Sequence, residues 1–112
     1  MPALLDQIDA LLNDDSSHLV PTAVVQIERT LTDGYARVLA LEGERLKIER
    51  EIEGVTAAIG ADDASRRAEE LSLLARRRSR IDGDVERLRN RLALLRRRGQ
   101  ELRALMPQPQ VT

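Results

Sequence analysis

The chain has 112 residues, 33% of them charged, 42% hydrophobic and only 1% aromatic, with a formal net charge of −1. That length holds one domain, and a composition dominated by Ala, Leu, Glu and Arg is that of long helices or a coiled coil. Without cysteine there is no disulfide framework and no thiolate metal site.

No apolar run approaches the roughly 20 residues of a membrane span. The N-terminus carries Asp6 and Asp9 where a signal peptide needs basic residues, so the expected location is the cytoplasm. The charges are unevenly placed. Residues 1–61 hold 5 basic and 11 acidic side chains, and residues 62–112 hold 13 basic and 8 acidic ones. Two helices of opposite sign that pair with each other account for this. A basic face for an anionic partner is the sharper alternative.

Residues 1–12 read as a short amphipathic helix, with Leu4, Leu5, Ile8, Leu11 and Leu12 on one side. Pro2 suits its first turn, and early acids suit the positive end of the helix dipole. So short a helix is marginal alone and must dock, either on the rest of its own chain or on a neighbouring subunit. Residues 13–20, NDDSSHLV, form a linker of turn-favouring side chains. It holds His18, the sole histidine, a solvated loop residue with no orienting partner visible in the sequence.

From Pro21 to about Ile59 the apolar positions recur every three and four residues. With Val24 at heptad position a, nine of eleven a and d positions are apolar, Gly34 and Arg45 being the exceptions. Gly60 stands where a helix C-cap belongs. The connection 60–63 follows, and Asp62 or Asp63 can cap the next helix. That helix is expected from about Ala64 to Leu105. Ten of its thirteen a and d positions are apolar, with Arg67, Arg78 and Gly99 as exceptions. Pro107 and Pro109 stop it, leaving a frayed tail at 107–112.

The expected fold is all-α: a long antiparallel two-helix coiled-coil hairpin over 21–106, with its turn at 60–63 and a short N-terminal helix. One register pairs residues whose numbers sum to 126. It sets Gly34 against Leu92 and Gly99 against Ile27, a small residue meeting a large one each time. It also sets Arg45 against Ile81 and Arg78 against Ile48. The flanking e and g positions carry Glu28, Glu42, Glu44, Glu49 and Glu51 on one helix. On the other they carry Arg77, Arg89, Arg91, Arg96, Arg98 and Arg103, with Arg37 as the exception on the first and Glu70, Asp82 and Asp84 on the second.

Apolar side chains are left over outside this seam. Val25, Leu39 and Leu46 share position b; Leu73 and Leu94 share position c. They receive the first helix or a subunit, and a dimer with a four-helix core is the simplest completion. Together with Leu4, Leu5, Ile8, Leu11 and Leu12 they are the expected protein-interaction residues, the partner being a second copy, another helical protein, or both.

No catalytic constellation, cofactor motif or metal-ligand spacing is visible. The six glycines are scattered singly, and the Glu-x-x-His pair of metal-binding bundles is missing. The expectation is a non-enzymatic structural or adaptor protein that assembles partners through helical surfaces. The alternative is a small regulator that binds DNA or the transcription machinery. Its polyanion-binding residues would be Arg66, Arg76, Arg80, Arg87 and Arg97, which project away from the seam. Neighbouring acids dilute that stripe, and this helix has no aromatic residue on which a base could stack. Asp62 and Asp63 put acids at the hairpin tip. Tips of that kind enter the RNA polymerase secondary channel in the Gre and DksA families, but nothing else in this chain matches them. The 17 to 1 excess of Arg over Lys fits a GC-rich bacterial coding sequence.

Overall fold

In a computed structural model, residues 2–13, 20–58 and 64–106 are described. They form three helices: α1 over Pro2–Leu12, α2 over Val20–Ala57 and α3 over Ala64–Ala104. No strand occurs among the described residues. The helix limits lie within about two residues of those read from periodicity. Gly60, Asp62, Asp63, His18 and the tail beyond Met106 lie outside the described residues.

The helix ends follow local chemistry. Ala58 N–H donates to Gly54 O at 3.1 Å, closing the last turn of α2. At the end of α3 the bonds tighten to i→i−3 spacing. Leu105 N–H donates to Leu102 O at 3.1 Å, and Met106 N–H to Arg103 O at 3.0 Å. Such tightening satisfies carbonyls that a terminating helix would orphan, and Pro107 then has no N–H with which to continue.

The helices pack as two compact units, Met1–Arg37 with Leu88–Thr112, and Val38–Arg87. The first unit has three helical segments: α1, the start of α2 and the end of α3. Its core holds Ile8, Val20, Val24, Ile27, Leu88, Leu92, Leu95 and Leu102. The paired numbers sum to 126, as the heptads require of an antiparallel pair. A Cβ built on Gly34 would collide with Leu92 Cδ2 and lie 3.1 Å from its Cδ1. A Cβ on Gly99 would lie 3.1 Å from Ile27 Cγ2. The two seam glycines are therefore the sockets into which Leu92 and Ile27 fit.

The second unit has two helical segments, the end of α2 and the start of α3. Val38, Leu41, Ile48, Leu74 and Ile81 are buried there. Ile52, Val55, Leu71 and Val85 are only partly buried although they occupy a or d positions. A pair of helices without a third leaves its seam open to water on both flanks. Arg45, at an a position, escapes the seam. Its Nε lies 2.9 Å from Asp82 and 3.5 Å from Glu49, with the side chain half exposed. Exposed pairs of this kind contribute about 0–1 kcal/mol, so they tune register more than stability.

Gly43 differs from the seam glycines. It lies inside α2 and a Cβ there would meet nothing within 4 Å. Gly43→Ala removes backbone entropy from the unfolded chain without any clash. It is expected to raise the unfolding free energy by about 0.5–1 kcal/mol in a denaturant titration.

Candidate functional site

The first candidate surface is the left-over apolar set. Val25, Leu39, Leu46, Leu73 and Leu94 are all exposed, Leu39 at 68%, Leu46 at 54% and Leu73 at 59%. The first helix does not cover them. Instead α1 docks within its own chain, in the three-helix unit. Ile8 is wholly buried, while Leu4, Leu5, Leu11 and Leu12 are partly buried.

Two polar contacts fix that docking. Gln7 Nε2 donates to Thr30 Oγ1 at 3.0 Å, and Arg91 Nη1 lies 2.9 Å from Asp9 Oδ1. Thr30 is fully buried, so its hydroxyl needs this partner. Both Thr30 and Arg91 sit at heptad position g. Sequence periodicity passed over Thr30 because a polar residue beside the seam carries no apolar signal. Its partner lies 23 residues away, and no local pattern reports so distant a contact.

The electrostatic pairing of α2 with α3 is realised at Glu28, whose carboxylate pairs with Arg103. Asp82 holds Arg45 in the two-helix unit. Arg91, expected to face the acidic helix, serves α1.

The arginines expected to bind polyanions behave differently from one another. Arg66, Arg76, Arg80, Arg87 and Arg97 are all exposed. Arg87 is held by Asp84 at 2.5 Å on the same helix. Arg76 and Arg80 lie in the two-helix unit on the wall of a groove of about 690 Å³ that Arg67 and Arg77 also line. Its floor is apolar: Gly54 and Val55 from α2, Leu73 and Leu74 from α3. Glu51 and Glu70 complete the wall. Leu73 is thus part of a recess, whereas Leu39 and Leu46 belong to an open face.

No described helix is long and apolar enough to cross a membrane, and no cluster of metal-ligating side chains occurs among the described residues. Neither a known protein family nor any curated protein or solved structure matches this chain.

Proposed function

We propose that this chain is a non-enzymatic coiled-coil adaptor of the cytoplasm, assembling proteins through helical surfaces and beginning with a second copy of itself. The observation that carries this reading is the exposure of Leu39 and Leu46, one heptad apart on the outer face of α2. Leucines seven residues apart on one helix form a stripe that another helix can bury. Burial of each is worth about 1.5–3 kcal/mol. Two-fold pairing of these stripes would give the two-helix unit the four-helix core that bundles use.

Light scattering after size exclusion tests this at several concentrations. The expected mass is twice that of the chain. Leu39→Glu combined with Leu46→Glu should weaken self-association by well over tenfold, because each carboxylate would have to be buried without a partner. A monomer at every concentration, or an unchanged mass for the double variant, would sink the proposal.

A second reading has one observation in its favour, the exposure of Arg66, Arg76, Arg80 and Arg97 on α3. In that reading α3 neutralises phosphates of DNA, or α3 and the acidic tip contact the transcription machinery. Salt-sensitive retention of duplex DNA would support the direct form.

A further inference from the structure

From the groove of the two-helix unit we infer a docking site for a partner protein's acidic amphipathic helix. The inference rests on the adaptor reading only in taking helices as this chain's ligands. It concerns a different surface from the Leu39 and Leu46 stripe.

The chain contains its own example of the chemistry. In the three-helix unit, α1 lies against the g positions Thr30 and Arg91. Its sequence, PALLDQIDALL, has apolar residues at helical spacing, two aspartates and no basic residue. It buries Ile8 and gives Asp9 to Arg91. Of the g positions in the two-helix unit, Glu51, Glu70 and Arg77 line a recess that no helix covers among the described residues. What lies there is the open groove.

The groove suits a helix of the same kind. Its floor of Gly54, Val55, Leu73 and Leu74 is apolar. Gly54 offers bare backbone, with nothing within 4 Å of where its Cβ would be, so an incoming helix can approach closely. Four arginines against two glutamates leave the wall with a charge of +2. An acidic helix would place carboxylates on those arginines and leucines on the floor. A nucleic acid would meet the arginines but leave Leu73, 59% exposed, without an apolar partner. Charge and apolar surface together therefore favour a helix over a phosphate backbone.

The test is an anisotropy titration of the full-length chain with a labelled designed peptide of about 18 residues. The peptide carries leucines at i, i+3, i+4 and i+7 spacing and glutamates on its remaining face. A counterpart with lysines for glutamates is the control. The acidic peptide should bind at least about tenfold more tightly than the control and weaken as salt rises. Arg77→Glu with Arg80→Glu should reverse the preference, and Leu73→Gln should weaken both peptides without changing helicity by circular dichroism. Equal binding of the two peptides would overturn the inference. So would indifference to both sets of substitutions, displacement of the peptide by duplex DNA at low salt, or binding that disappears when the chain self-associates. The Leu39→Glu, Leu46→Glu variant separates the two proposals. Peptide binding retained in that variant supports the groove whatever its mass. Loss of dimers alone bears only on the adaptor stripe.

Discussion

Replacing Leu92 by alanine is expected to lower the unfolding free energy by about 2–5 kcal/mol. The side chain is completely buried, and the residue facing it is Gly34, which has no side chain to move into the void. Helix backbones held by their other seam contacts can close such a hole only partly, so the cavity term remains. The reverse change, Gly34→Ala, adds a methyl group to a filled site, where Leu92 Cδ1 and Cγ would lie 3.1 and 3.2 Å away. Overpacking costs about 1–3 kcal/mol. The better helix propensity of alanine offsets about 1 kcal/mol of that. The decisive measurement is the combined variant in urea. The methyl group of Gly34→Ala then fits the space opened by Leu92→Ala, and the pair should cost about 1 kcal/mol less than the sum of the two single changes. Strict additivity would mean that the two residues do not share a socket.

Ile8→Asp is expected to release α1. Among the described side chains of that helix only Ile8 is wholly buried, and an ionised carboxylate cannot take its place without a partner. Once undocked, a helix of 11 residues is too short to persist in water. Loss of the isoleucine contacts alone is worth about 2–5 kcal/mol, bounded by the free energy with which α1 docks. Hydrogen exchange gives the clearest readout. The α1 amides should lose their protection, while those of α3 around Leu95 keep most of theirs because Ile27 and Gly99 still hold the α2–α3 seam. Unchanged protection in α1 would show that Ile8 is not its anchor. Equal collapse in α3 would show that the two-helix seam does not stand without α1.

The helices and their register were legible because they depend on repetition. Many a and d residues vote for one phase, so single exceptions such as Arg45 do not disturb it. The same register set Gly34 opposite Leu92 and Gly99 opposite Ile27, and both pairs meet in the structure. The conduct of individual polar side chains was less legible. Arg45, read as facing Ile81, swings outward to Asp82 because a long guanidinium can reach water from the seam edge. The docking flank of α1 was not legible either. It depends on Thr30 and Arg91, whose partners are far off in sequence and add nothing to an apolar repeat. The groove escaped detection for a related reason. Arg67 and Leu74 are consecutive d residues, but only a third dimension brings Val55, Leu73 and Arg80 to one recess.

The best-buried seam pairs are also the most distant in sequence: Gly34 and Leu92 are separated by 58 residues, Ile27 and Gly99 by 72. Nearer the turn, Ile52, Val55 and Leu71 are bridged by much shorter stretches of chain but remain partly wet. Closing a loop costs entropy that grows only slowly with its length. The contacts at Ile52, Val55 and Leu71 therefore gain little from their short sequence separation. Their partial exposure leaves them weaker than the fully buried pairs of the three-helix unit. The amides around Ile52, Val55 and Leu71 should therefore exchange faster than those around Leu92.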